Sequence, residues 1–269
     1  MPIDVRANLV RLTQREFAAI AYEVVSQAFA VHSELGSLFD ETVYQNALAA
    51  RLRDVRTEVR IDVTFRDFRK IYVMDAVVSD GAVFEFKAVK GICPRHRSQL
   101  LNYLLLAGLN HGKLINFGTD GVEHEFVNTS LTHADRTCFG VRDDEWLETD
   151  GFGEDEKKLV LEILRDWGTG LDCALYREAL FHFLGGKNGL LANLDIIQNG
   201  MCVAQQVVPL CGNSTAVRLT MFQGEKGKFE RDLIRFMQAT RICFLQWINV
   251  ARSEVTFKTL HLSVPDFSV

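Results

Sequence analysis

From Gln14 to Glu34 apolar side chains return every three or four residues: Phe17, Ile20, Val24, Ala28 and Val31 fall on one stripe, which predicts an amphipathic helix. Gly36 breaks it. A second helix follows in "DETVYQNALAARLRD", with Asp40 as N-cap and Val43, Ala47 and Leu48 on its inner face. Then the period drops to two. "TEVRIDVTF", "KIYVMDAVV" and "AVFEFKAV" read as strands, joined by turns at 66–69 and 79–81. "RSQLLNYLLLAGL" is helical again and stops near Gly108, and "GKLINFG" and "EHEFVN" return to strand. A helix joining consecutive strands predicts an α/β fold, a mixed sheet flanked by helices.

The pattern then recurs. "ELGSLFDETVYQNALAARL" from Glu34 and "DWGTGLDCALYREALFHFL" from Asp166 match at a displacement of 132 residues, with Gly36, Asp40, Tyr44 and Leu48 meeting Gly168, Asp172, Tyr176 and Leu180. "AVFEFKAV" meets "AVRLTMFQ" at 134, and "SQLLNYL" meets "RDLIRFM" at 133. We expect a tandem duplication, with domains at 1–135 and 136–269. The competing reading is an unrelated extension whose apolar periodicity matches by chance.

Composition narrows the class. The chain has 269 residues, 48% of them apolar, and a net charge of −5. A sizeable core is expected, and a basic protein that coats nucleic acid is not. The six cysteines form no C-x-x-C pair and show no zinc spacing with histidine, so they read as reduced thiols of a cytoplasmic protein. No apolar signal core opens the chain and no run is long enough to span a membrane.

The chemistry concentrates in "DAVVSDGAVFEFKAVKGICPRHRSQLLNY", residues 75–103. Glu85 and Lys87 share one face of a strand whose other face carries Phe84, Phe86 and Ala88. Asp75 ends the preceding strand, across one hairpin. Two adjacent strands bring Asp75 and Glu85 within reach of one hard cation, with the Phe86 carbonyl as a further oxygen and Lys87 beside it. A lone Glu-x-Lys on a strand is usually a surface ion pair. Here the strand is apolar around it, an aspartate stands at hairpin spacing, and Gln99 and Tyr103 follow at i, i+4 on one helix face, with His96 a turn before. His96 suits a phosphate contact or a helix cap equally. Lys90, Arg95 and Arg97 are candidate phosphate contacts or a solvated basic loop. Tyr44 reads as packing.

This constellation resembles the PD-(D/E)XK nuclease superfamily, and in its Gln-x-x-x-Tyr the RecB-like branch. Glu41, Asp75, Glu85, Lys87, Gln99 and Tyr103 appear in the expected order, although Met74 replaces the proline of the superfamily's name. "VHSELGSLFDETVYQNAL", "EFKAVKGICPRHRSQLLNYLLLAGL" and "LINFG" also resemble the GxxExxxY family over residues 14–130. Leu38 stands in place of a second glycine, and Tyr44 follows Glu41 by three residues rather than four.

The resemblance implies a restriction-endonuclease-like core and Mg²⁺- or Mn²⁺-dependent hydrolysis of nucleic acid, DNA more than RNA. Asp75, Glu85 and Glu41 would hold metal, Lys87 the nucleophile or developing charge, and Gln99 with Tyr103 the lysine or substrate backbone. Lys90, Arg95, His96 and Arg97 would bind nucleic acid. The alternative is a non-catalytic module on the same fold, binding nucleic acid or protein. In the second half Cys173, Leu219, Met221, Asp232 and Phe236 are expected at the places of Glu41, Glu85, Lys87, Gln99 and Tyr103, with Pro209 near Asp75. That copy would be degenerate, one member of a pseudo-dimer within the chain.

Overall fold

The structure, a computed structural model, describes residues 2–262. The chain divides into two compact units at Asp135/Arg136. The first contains β1 (Ile3–Val5), α1 (Gln14–Leu35), α2 (Glu41–Ala49), β2 (Val55–Phe65), β3 (Phe68–Val78), β4 (Ala82–Lys87), α3 (Pro94–Ala107), β5 (His111–Asn116) and β6 (Glu123–Asn128). Its strands lie in the order β1-β2-β3-β4-β5-β6. β4 and β5 are parallel, as their α3 connection requires, and every other neighbouring pair is antiparallel. The expected mixed α/β architecture is therefore what forms.

Local chemistry explains the boundaries. Thr13 and Glu16 close a capping box at the start of α1, and Gly36 ends the helix at a φ of 73°, which favours glycine. Phe17, Val24, Ala28 and Val31 of α1 pack with Tyr44 and Leu48 of α2 onto Phe84, Phe86 and Phe117. This core takes one face of β4. Strand alternation sends Glu85 and Lys87 to the other.

α4 (His133–Thr137) runs across the division between units. The second unit contains β7 (Gly140–Glu145), α5 (Glu154–Trp167), α6 (Cys173–Phe183), α7 (Lys187–Leu190), β8 (Leu191–Gln198), β9 (Met201–Cys211), β10 (Thr215–Thr220), α8 (Lys226–Thr240), β11 (Phe244–Val250) and β12 (Glu254–His261). Its sheet order is β7-β12-β11-β10-β9-β8. From β8 to β12 the pairing senses repeat those from β2 to β6: antiparallel, antiparallel, parallel, antiparallel.

Side-chain clips repeat as well. The Tyr44 hydroxyl donates to Gly36 O at 2.8 Å and accepts from Phe39 N at 3.1 Å; Tyr176 does the same with Gly168 O and Leu171 N. The buried Asn116 side chain holds both backbone groups of Val89 at 2.9 Å, and the buried Asn249 holds those of Phe222 at 2.8 and 3.1 Å.

These contacts correct the expected correspondence by one residue. β10–β11 pairs Thr220 with Asn249 and Arg218 with Trp247, as β4–β5 pairs Lys87 with Asn116 and Glu85 with Leu114. Arg218 and Thr220, rather than Leu219 and Met221, therefore stand at the places of Glu85 and Lys87. β9–β10 pairs Leu210 with Ala216 as β3–β4 pairs Val77 with Val83, which puts Val208, not Pro209, at the place of Asp75. Apolar matching alone aligned the wrong face, because a one-residue slip in a strand inverts every side chain.

Asn116 should matter to the loop after β4. In Asn116→Ala the Val89 and Gly118 amides lose their acceptor, a loss on the order of 3 kcal/mol. Hydrogen exchange at those two amides should accelerate by about a hundredfold. Unchanged protection would show that the clip does not hold the loop.

Candidate active site of the first unit

The β3–β4 ladder runs from Val78↔Ala82 to Ala76↔Phe84 and ends there. At the next position the Asp75 side chain takes over: its Oδ2 accepts from Phe86 N at 2.7 Å. The end of the ladder thus opens the site and points Asp75 into it. Glu85 is fully buried. Its Oε1 lies 2.8 Å from Lys87 Nζ, while its Oε2 is buried with no hydrogen-bond partner. Lys87 Nζ also donates to Phe86 O at 2.6 Å, lies 3.5 Å from both Glu41 oxygens, and is 4.0 Å from Asp75 Oδ2. Glu41 is the first residue of α2, so it reaches this cluster from a helix N-terminus.

Three carboxyl groups therefore surround one ammonium. Burial, and then the Asp75 charge, push the Glu85 carboxyl up to about 8 against the pull of Lys87. Burial raises Asp75 too, opposed by the Phe86 amide, by Lys87 and by a side-chain hydrogen bond with Glu85, and burial likewise raises Glu41. Burial alone would lower Lys87; the Glu85, Asp75 and Glu41 carboxylates outweigh it, and its pKa rises. At neutral pH the cluster retains a proton because one ammonium cannot neutralise the buried Glu85 together with the partly buried Asp75 and Glu41.

On α3, Gln99 Nε2 donates to the Tyr103 hydroxyl at 3.0 Å. Burial pushes Tyr103 up to about 12, with Gln99 opposing and the Glu85 and Asp75 charges adding to the rise. His96 Nδ1 accepts from Cys93 N at 3.2 Å, so this histidine caps the start of α3. Burial and the nearby Lys87 lower its pKa. Lys90 and Arg95 are exposed at the surface. Arg97 instead grips Glu125 through two hydrogen bonds of 2.6 and 2.7 Å.

Two neighbours escaped the sequence reading. Gln45 is buried and its Nε2 donates to Asp75 O at 2.9 Å. It lies one turn beyond Glu41 on α2, and that i, i+4 spacing was the available signal. Glu58 falls between the Thr57↔Ala76 and Val59↔Met74 pairs, across from Asp75, with a φ of 52° unusual for its residue type. Its charge contributes to the raised Asp75 pKa. Only the strand register could have found it.

Residues 18–128 match the model of the PD-(D/E)XK nuclease superfamily. The match covers less than half of the chain, lies within the first unit and spans all of Glu41, Asp75, Glu85, Lys87, Gln99 and Tyr103. No curated protein matches the chain. Among solved structures, SSO0001 matches at 21% identity with a TM-score of 0.28, over 45% of this chain and 63% of its own length. The aligned region is thus less than two thirds of that protein.

The donors suit a hard dication. They are all oxygens, one of them is an unpartnered buried carboxylate oxygen, and the Lys87 ammonium already rests among them. Among the described residues no three His, Cys, Asp or Glu side chains are gathered into a ready cage. The Phe86 carbonyl and water would have to complete the coordination.

Cation binding should depend on pH. Glu85 has a folded pKa of about 8, above its ordinary value of 4.5. Its contribution to stability is complete below about 4.5 and lost as pH rises through about 8. A cation needs the ionised form, so affinity should climb with pH up to about 8, with proton release near neutrality. Calorimetry of Mn²⁺ binding in buffers of different ionisation enthalpy checks this. Proton-free binding of constant affinity from pH 6 to 9 would contradict it.

Proposed function

We propose that the first unit is a metal-dependent nuclease that hydrolyses phosphodiester bonds of nucleic acid. The observation that carries this reading is the buried Glu85 carboxyl, set against Asp75 and beside a lysine seated on the Phe86 carbonyl. A structural ion pair has no need of a second and third carboxyl group beside the same ammonium. The superfamily match over residues 18–128 supports the same reading.

Asp75 and Glu85 would hold Mg²⁺ or Mn²⁺, with Glu41 contributing directly or through water. Such an ion neutralises phosphate charge and lowers the pKa of bound water. The residues do the rest. Glu85 and Phe86 O fix the Lys87 ammonium, which donates a hydrogen bond to the attacking water or to the charge that develops as the water oxygen joins phosphorus and the leaving oxygen departs. Glu41, free at one side to reach solvent, orients the water. Gln45 holds the Asp75 backbone in place. Gln99 and Tyr103 form the α3 wall and steady the substrate backbone beside Lys87. Lys90, Arg95 and His96 are the phosphate contacts at the α3 entrance; Arg97, engaged by Glu125, joins them only if that pair opens. The likeness to GxxExxxY proteins and the RecB-like branch rests on the helix-entry and Gln-x-x-x-Tyr residues.

We further infer that the two units arose by tandem duplication. The order and pairing senses common to β2–β6 and β8–β12, with the tyrosine and asparagine clips, support this, while β1 and β7 add at opposite edges. The second copy has lost the chemistry: Cys173, Val208, Arg218 and Thr220 replace Glu41, Asp75, Glu85 and Lys87. A cavity of about 220 Å³ bordered by Val208, Arg218, Asp232 and Phe236 occupies the corresponding place. The chain would then carry one active centre and one vestigial one.

Two substitutions separate the roles. Lys87→Ala should abolish cleavage, a loss of about 10²–10⁴ in rate, while Mn²⁺ binding remains measurable. Glu85→Gln keeps the shape but removes a ligand charge, and should weaken both. The assay compares single- and double-stranded DNA and RNA with Mn²⁺ and with EDTA. If the wild-type protein cleaves none of these in any metal, yet binds one regardless of Glu85 and Lys87, the first unit is a binding module.

A further inference from the structure

The first unit has a second unusual feature, away from the acid cluster. Between α1 and the β5–β6 edge lies a groove of about 510 Å³, walled by Ala21, Val25, Phe29 and Phe126, with Lys113 in its floor. Lys113 is only 2% exposed. Its Nζ rests 3.4 Å from the centre of the Phe126 ring, and among the described residues no carboxylate or hydrogen-bond acceptor pairs with it. Burial lowers its pKa. The ammonium lines the open groove with only the Phe126 ring against it, so an anion entering the groove would meet a positive charge on a largely apolar wall. Beside it, β6 ends the sheet, so its outer edge has no strand partner among the described residues.

The second unit indicates what such a groove receives. Gln246 faces Thr259 in β11–β12 as Lys113 faces Phe126 in β5–β6. There β7 lies parallel along the outer edge of β12, and the chain continues across the floor. Gln246 Nε2 donates to Leu147 O at 2.8 Å and to Thr149 Oγ1 at 2.9 Å, and Leu147 N donates to Thr259 Oγ1 at 2.8 Å. Lys157, at the place of Val25, pairs with Asp143 at 2.6 Å and lies 4.3 Å over the Trp146 ring. An extended acidic segment, residues 140–149, therefore fills in the second unit the place that is open in the first.

We propose that the groove of the first unit docks an extended acidic segment of a partner polypeptide, which adds as a strand to β6 and sets a carboxylate against Lys113. The change from Gln246 to Lys113 specifies the carboxylate: where an amide meets a hydroxyl and a carbonyl, an ammonium requires an acid. The open β6 edge specifies a peptide, because only a backbone satisfies its unpaired groups.

The probe is a fluorescein-labelled peptide copying residues 140–149 with Thr149→Asp, titrated into the full chain. It should bind saturably with a Kd on the order of 10–100 μM, and the unaltered peptide more weakly. Lys113→Met, which keeps the apolar volume, should weaken the altered peptide at least about tenfold. Ser26→Trp, a change on the exposed face of α1 that fills the groove without touching Lys113, should weaken both peptides, and it serves alone if Lys113→Met does not fold. No saturable binding up to about 1 mM, or binding indifferent to the folded variants, overturns the proposal. So does displacement of the peptide by decanoate at similar concentration, which would assign the groove to small amphipathic anions.

Discussion

Everything in the first unit converges on one electrostatic imbalance: the buried Glu85, the partly buried Asp75 and the half-exposed Glu41 gather around the single ammonium of Lys87. A carboxylate that is fully buried and half satisfied, as Glu85 is, tolerates ionisation only with a further positive charge beside it. Without one it keeps its proton. The arrangement is thus poised between two states, a protonated cluster that is stable alone and an ionised cluster completed by a cation. Well-packed apolar side chains in this place would be at least as stable as the charged cluster.

The rest of the unit exists to hold that imbalance still. The ladder between β3 and β4 stops one residue short of Asp75, freeing its side chain to bond the Phe86 amide. Phe84 and Phe86 anchor the opposite face of β4 under α1 and α2. Tyr44 locks the α1–α2 corner through Gly36 and Phe39, and so fixes where Glu41 enters. Asn116 pins the chain leaving Lys87. The second unit has the same two clips at Tyr176 and Asn249, without carboxylates at the corresponding strand positions.

Much of this was legible in the chain. Helical and strand periods gave the element order, and alternation along β4 put Glu85 and Lys87 on one face with Phe84 and Phe86 on the other. Other features were not legible because they depend on register or on distant partners. Glu58 reaches Asp75 through a ladder position that no spacing rule predicts. Arg97 resembled a phosphate contact until Glu125, twenty-eight residues on, claimed it. Apolar matching misaligned β10 by one residue, since hydrophobic runs on doubly buried strands look alike in either register. Nothing in the strand "GKLINFG" singles out Lys113; only its place beneath α1 reveals a lysine 2% exposed beside an open edge.

The most direct measurement is the titration of the Glu85 carboxyl itself, followed by ¹³C NMR of its side-chain carbon with Glu85→Gln for assignment. This account predicts a midpoint near 8 in the cation-free protein and full ionisation at neutral pH once Mg²⁺ is added. A midpoint near the ordinary 4.5, unmoved by Mg²⁺, would mean that Lys87 alone satisfies the cluster and that no cation site is built there.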